Sequence, residues 1–431
     1  MAIQAVKSII NIIVVSLFIF PIEFVFLPEI NSKMILAVYG VIAYLTHCIF
    51  KSTPVVRKDY IIMFILAFFV SFCGVVSVLY NDTNDFTYAS YLVSFIVWIS
   101  AAYGVVSIIR VNDGLITIRR LSYYLISVAV LQCVLAILLD LLPAFRNAVN
   151  NVVVGFGSMY SAGTGLSKAG RLYGIGAALD VAGTRFAPIL AILFICILKL
   201  YDKKEKAMQY LMTILWAFVF VVGSMISRTT IIGVLVGFMV LLIVRDGQIM
   251  AFFRYLLIAG LILFGIASIV YLNSSFFHDN VRFAFEGFFN FFERGEWTTS
   301  STETLQTMYK LPDSIKTLII GDGYFDEPYY SDPYYSGPAH SWGLFYMGTD
   351  VGYLRFIYYF GILGLVAFIA FFVYAAVLCC TRFPNYKWVF IILLLCNFII
   401  WFKVATDTFC LFALFLCVPI EDESWEVIGV A

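Results

Sequence analysis

The sequence predicts an all-α polytopic membrane protein of about twelve transmembrane helices, with one large outer loop between the ninth and the tenth. Three observations predict it. Of the 431 residues 62% are hydrophobic and 13% charged, with a mean hydropathy of +0.96, whereas a soluble domain carries roughly 25% charged residues. Apolar runs near the length needed to cross a bilayer recur along the chain. Between Asn273 and Asp350 they give way to a polar, tyrosine-rich stretch that holds a large share of the groups able to do chemistry.

Taken in order, the runs place spans at 8–28, 34–50, 60–80, 90–109, 121–142, 186–200, 209–226, 229–244, 249–272, 351–378, 388–402 and 408–420. The sixth has an alternative start near Ile175, and the last two are short and separated by Lys403 and Asp407. After Lys7 the run from Ser8 to Leu27 is long enough to span, and no small-residue cleavage pattern follows, so the first span is expected to stay. Three parts result: 1–272, a bundle of nine helices with an outer loop at 143–185; 273–350, the large loop or lid; and 351–431, the last three helices and a short tail.

Charge placement sets the orientation. Loops after even-numbered spans carry Lys51, Arg57 and Lys58, then Arg110, Arg119 and Arg120, then Lys203, Lys204 and Lys206, then Arg245, then Arg382 and Lys387, while the short opposite loops carry little beyond Lys33 and Lys403. Basic residues stay on the cytoplasmic side, so both termini are expected there and 143–185 and 273–350 face outward. Lys plus Arg and Asp plus Glu balance at 27 each, and nothing points to nucleic acid. The nine cysteines all fall in or beside spans and form neither a disulfide framework nor a zinc spacing. No internal repeat is present, which argues against the matched halves common in secondary transporters.

Within the lid, the aromatic run from Phe283 to Phe292 suits a helix at the membrane interface. Glu303, Leu305, Met308 and Leu311 suit a short amphipathic helix ended by Pro312, and Asp322-Gly323 with the following Pro and Tyr residues forces turns. The tyrosines from Tyr324 to Tyr346 read mainly as surface anchors, with a few available to stack on sugars.

Charges at the ends of apolar runs mark candidate sites. Arg171 and Arg185 bracket Leu-Tyr-Gly-Ile-Gly-Ala-Ala-Leu-Asp-Val-Ala-Gly-Thr, and Arg228 stands at the tight join of two spans. A guanidinium at the hydrocarbon edge costs a few kcal/mol. One alone is accounted for by snorkelling to the headgroups, but three on the side where positive charge is disfavoured point to an anion, and arginine's planar fork suits phosphate. Of the histidines, His47 and His278 read as interfacial and structural. His340 lies just upstream of a span whose start offers Asp350 and Arg355, where an imidazole beside a carboxylate is able to take a proton from a hydroxyl. Glu23 and the Lys403/Asp407 pair read first as structural or interfacial charges. Gly321-Asp322-Gly323 reads as a turn, since a dinucleotide fingerprint needs a strand before it and a helix after.

In this order and topology the chain resembles the Wzy-type polymerases of bacterial surface polysaccharides, in the wider family that includes the O-antigen ligases. The resemblance rests on Arg171-Leu-Tyr-Gly174, on Gly223-Ser-Met-Ile-Ser-Arg228-Thr-Thr, and on Ser300-Ser-Thr-Glu-Thr-Leu-Gln-Thr-Met-Tyr309 leading to Ile319-Ile-Gly-Asp-Gly323. It closes with His340 and with Asp350-Val-Gly-Tyr-Leu-Arg355 running into Gly361-Ile-Leu-Gly364. The resemblance implies an inverting, metal-independent glycosyltransferase of the membrane-embedded C type, without a cofactor. It implies donor and acceptor repeat units on undecaprenyl diphosphate, joined at the outer face of the bacterial inner membrane to give O-antigen or capsule, and a chain-length regulator as a partner. Arg171, Arg185, Arg228 and Arg355 would bind the diphosphate; His340, with Asp350, would be base or leaving-group ligand. His340-Ser341 is not followed by the glycines associated with ligases, which favours a polymerase. The alternatives are a ligase transferring chains to lipid A core and a flippase for the lipid-linked unit. A flippase predicts matched halves and a central cationic cavity without a large outer loop.

Overall fold

The computed structural model describes residues 2–51, 58–154, 171–202, 205–244, 275–420 and 422. The span expected at 249–272 lies outside the described residues. The fold is mostly helical, and seven helices are long and apolar enough to cross a membrane. These are α2 (Ser32–Lys51), α3 (Lys58–Asn81), α4 (Tyr91–Asp113), α5 (Ile118–Leu141), α7 (Leu179–Asp202), α8 (Lys206–Ile226) and α15 (Gly352–Arg382). Shorter apolar helices complete the described bundle: α1 (Ala2–Ile19), α9 (Ile231–Val244), α16 (Lys387–Ile400) and α17 (Phe409–Cys417). A small helix, α6 (Pro143–Asn150), follows α5.

Helix α7 is the axis of one half. From Arg185 to Leu193 each of its residues is buried, and it packs against α5, α8, α9 and α16. From Phe186 to Leu198 its sequence is apolar on every side, as expected of a helix surrounded by others and not facing lipid. By contrast α3 turns Ile61, Phe64, Ile65, Phe68, Phe69 and Phe72 outward, all large apolar groups that suit lipid contact. The sixth span begins at Leu179 and not near 186, and so carries Asp180 and Arg185 in its first two turns.

The first span is shorter than its hydropathy suggests. Helix α1 stops at Ile19, and the chain forms an antiparallel hairpin of β1 (Glu23–Phe24) and β2 (Leu27–Asn31). Pro21 and Pro28 account for this, since a proline ring has no N–H to donate and blocks the helix. The hairpin extends to the segment after α6 through Val25 N–H to Val152 O (2.9 Å) and Val154 N–H to Glu23 O (2.8 Å). The described structure therefore contains a two-stranded sheet that an all-α reading lacks.

The described lid contains α10 (Ser275–Ala284), α11 (Glu286–Arg294), α12 (Ser300–Thr307), α13 (Ile315–Ile319) and α14 (Pro328–Ser331). The aromatic run is thus split between two helices meeting at Phe285, and α12 ends at Thr307, well before Pro312. Thr299 caps α12 by accepting the N–H of Thr302 (3.1 Å).

The lid is fastened to the bundle at a break in α15. Phe360 leaves helical geometry, and Gly361 sits at φ 70°, ψ −176°, a conformation essentially limited to glycine. The lid's Asp322 and Gly323 donate their N–H groups to the carbonyls of Tyr358 (2.6 Å) and Tyr359 (3.1 Å), and Ser77 Oγ donates to Tyr359 as well (2.6 Å). Lys316 ties the turn to α3 by reaching Asp322 Oδ1 and Asn81 Oδ1, each at 2.6 Å. The Gly-Asp-Gly turn is therefore a docking peg. A Cβ at Gly361 would lie 2.0 Å from Ile319 O. Gly361→Ala is expected to cost roughly 1–3 kcal/mol from backbone strain alone, and to lower the melting temperature of the detergent-solubilised protein. An unchanged melting curve would remove this account of the break.

Buried aromatics fill the seam between α3, α4, α15, α16 and α17. Tyr88 meets Phe325, Phe356, Tyr359, Phe360 and Phe368 edge-on, and the fully buried Trp401 packs on Phe356, Phe368 and Phe372. Much of the 18% aromatic content thus serves the core through edge-to-face packing. In the lid, Tyr346 is buried while Tyr329, Tyr330 and Tyr334 are exposed.

Candidate functional site

Two adjoining cavities lie at the end of the bundle where α7 and α15 begin and α8 and α16 finish, and Asp180 lines both. The larger, about 330 Å³, is lined by Arg171, Asp180, Ser227, Arg228, Phe283, Ser301, Asp350 and Lys403, with Thr304 and Leu305 from α12 and Met308 just after it. Arg171 is carried by the segment leading into α7, which is held to the end of α8 by Leu172 N–H to Met225 O (3.2 Å). Arg228 opens the 3-10 turn Arg228–Thr230 that joins α8 to α9, so a tight helix–helix join places it at the cavity. Lys403 follows α16, and Asp350 precedes α15.

The two arginines share one aromatic neighbour. The ring of Phe283 lies 4.5 Å from the Arg171 guanidinium carbon and 4.1 Å from that of Arg228, a contact whose attraction grows as water is removed. Their remaining donors differ. Arg228 gives Nε to Phe283 O (2.9 Å), Nη1 to Ser301 Oγ (3.1 Å) and Nη2 to Glu286 (2.6 Å), so it ties the helix join to the lid. Glu286 in turn accepts the N–H and hydroxyl of Ser300 at the start of α12. The buried Nε of Arg171 has no hydrogen-bond partner among the described residues. Of this pair, Arg171 is thus the guanidinium with a donor to spare. Burial, then the neighbouring Arg228, lowers its pKa, with Asp180 opposing.

Asp350 and Asp180 are the carboxyl groups of this cavity, and burial disfavours the charged form of both. Burial, and next the charge of Asp180, push the Asp350 carboxyl up to about 7, against the pull of Arg355 and Lys403. Its side chain is 21% exposed, and its Oδ1 stands 3.7 Å from Arg355 Nη1 without a hydrogen-bond partner among the described residues. A carboxyl titrating near neutrality and open to a cavity is suited to proton transfer. Lys403 is held below its ordinary range by burial, with Asp180 as the largest opposing influence.

The smaller cavity, about 250 Å³, holds the other two arginines: Arg185, Arg355, Asp180, Asp407, Tyr88, Trp98 and Phe325 line it. Arg185 donates to the backbone oxygen of Asp407. Arg355 donates to Phe325 O (3.1 Å) and Asp326 Oδ1 (2.7 Å) and lies between the rings of Phe325 (3.6 Å) and Phe345 (4.4 Å). Arg355 thus spans from the wall of this cavity to Asp350 in the other.

His340 lines neither cavity. Its Nδ1 lies 3.2 Å from Glu327 Oε1, which also accepts the His340 backbone N–H (2.9 Å), while Ser341 Oγ donates to Glu327 Oε2 (3.2 Å). Glu327 is fully buried, and the imidazole packs 5.1 Å from the Tyr346 ring. The carboxylate beside the histidine is therefore Glu327 and not Asp350. Replacing His340 by alanine is expected to loosen the lid, seen as faster proteolysis between 321 and 350; an unchanged cleavage rate would contradict that role.

Asp180 lines both cavities, while Glu286 holds Arg228 and Glu327 holds His340 from outside them; the sequence did not single out any of the three. Asp180 lies between the two arginines that bracket its segment, where spacing alone makes it read as local charge balance. Lys403 and Asp407, which sequence reading leaves as a pair, go to different cavities. Among the described residues no group of three His, Cys, Asp or Glu side chains is placed to hold a metal ion. Compared with known protein families, with curated proteins and with solved structures, the chain matches none.

Proposed function

We propose that this protein is a polysaccharide polymerase that joins oligosaccharide repeat units carried on undecaprenyl diphosphate, at the periplasmic face of a bacterial inner membrane. The observation that carries the reading is the meeting of Arg171, Arg228 and Lys403 with Asp350 on one cavity. Cations there suit a diphosphate, and a carboxyl near neutrality suits the deprotonation of a sugar hydroxyl.

In this reading the acceptor hydroxyl oxygen attacks the anomeric carbon of the growing chain from the side opposite the diphosphate. The new C–O bond forms as the bond to the diphosphate oxygen breaks, inverting the anomeric centre. The hydroxyl proton passes to the Asp350 carboxylate, and the charge that develops on the leaving prenyl diphosphate is met by Arg171, Arg228 and Lys403. Fixed cations in a site shielded from water stabilise such charge strongly. His340 acts through the lid, with Glu327, in place of serving as the base.

Both termini lie in the cytoplasm in this reading, and a chain-length regulator would meet the lid. Deleting the gene tests the function against its alternatives. A polymerase deletion leaves surface glycan of a single repeat, whereas a ligase or flippase deletion leaves none. A full ladder in the deletion strain would end the proposal.

A further inference from the structure

We propose that the smaller cavity binds one uncharged sugar ring, which on the reading above belongs to the acceptor. Four charged residues line it, and their signs cancel: Arg185 and Arg355 against Asp180 and Asp407. A phosphate or a uronate would meet two carboxylates without the third lining cation that the larger cavity offers, and a metal ion would meet two guanidinium groups, so neither charge sign is favoured. A ligand that both donates and accepts is favoured, and a sugar hydroxyl does both.

Each of the two arginines keeps one donor unused. Arg185 and Arg355 are each only 6% exposed, yet the Nε of each has no hydrogen-bond partner among the described residues. A buried donor left unmatched costs free energy that an incoming acceptor oxygen recovers. Tyr88, Trp98 and Phe325 add apolar wall, although Lys33 covers one face of Trp98 at 4.3 Å and Arg355 one face of Phe325 at 3.6 Å. Polar edges and apolar patches together match a pyranose, which has hydroxyls at its rim and C–H groups on its faces.

Size narrows the ligand further. At about 250 Å³ the cavity falls below the roughly 300–1,000 Å³ of sites for drug-sized ligands, so it accommodates one ring and leaves the rest of an oligosaccharide outside. Because Asp180 also lines the cationic cavity, a ring held here adjoins the diphosphate site.

The test is saturation-transfer NMR on the full-length protein in detergent micelles, with glucose, N-acetylglucosamine and glucuronate as probes. Transfer is expected to at least one neutral sugar, to fall about tenfold or more in Asp407→Asn, to persist in Arg171→Ala, and to be absent for glucuronate. Trp98→Leu serves as a second variant should Asp407→Asn fail to insert, and it is expected to show the same loss. Absence of transfer to both neutral sugars, transfer that survives the variants, or equal transfer to glucuronate would overturn the proposal. Polymerisation plays no part in this readout. A positive result beside a full ladder in the deletion strain would keep the sugar site and remove the polymerase reading, and the converse pair would do the opposite.

Discussion

Arg171→Ala is expected to lower glycan polymerisation by about 10²–10³-fold, the loss that follows removal of one pre-positioned group stabilising charge in a transition state. Among the two arginines at Phe283 it is the one whose Nε is left unmatched by the described residues, so apart from its contact with the Phe283 ring its loss falls on the ligand. Arg171→Lys keeps the charge and loses the fork, and should recover only part of the activity. Arg228→Ala is expected to be inactive for a mixed reason, because it also strands Glu286 and releases α12 from the helix join. Chain-length ladders from strains with equal amounts of inserted protein check all three. A normal ladder from Arg171→Ala would mean that the cavity does not hold the diphosphate.

The second large effect is a pH dependence. A base must be deprotonated to accept a proton, and Asp350 is pushed up to about 7 by burial and by Asp180. Activity should therefore rise with pH, about tenfold per unit on the acid side, and level off above about 7. Asp350→Asn should remove about 10²–10⁴-fold of the rate together with this acid limb. The cation Lys403 favours the charged carboxylate, so Lys403→Met should move the limb to higher pH. An acid limb that survives in Asp350→Asn would transfer the base role to another group.

Hydropathy made the helical bundle legible because lipid and core both demand apolar side chains, and the run lengths carry the signal almost unaided. It misled where a short-range rule overrode it. The first run looks continuous from Ser8 to Leu27, but Pro21 ends the helix and a hairpin takes over. Gly361 could be read as part of a span, yet its φ of 70° comes from a lid turn that is forty residues earlier in the chain and visible only in three dimensions.

The site was legible in part, for a similar reason. A guanidinium at the edge of an apolar run is costly enough to stand out, so Arg171, Arg185, Arg228 and Arg355 were found one by one. Which of them share a cavity depends on where α7, α8 and α15 start and stop, and spacing does not carry that. His340 and Asp350, ten residues apart, looked like partners; the fold gives the histidine to Glu327 and leaves Asp350 with Lys403 and Asp180. Asp180 was hidden because an acidic residue between two basic ones reads as local charge balance until the helix start brings it to both cavities.

Equilibrium binding of labelled undecaprenyl diphosphate to the purified protein tests the central claim most directly. Binding to the wild type should exceed binding of undecaprenyl monophosphate, and should weaken about tenfold or more in each of Arg171→Ala and Lys403→Met, while Arg282→Ala, whose partner Glu293 lies on the lid surface, should bind as the wild type does. Equal affinity of all four proteins for the diphosphate would contradict the account.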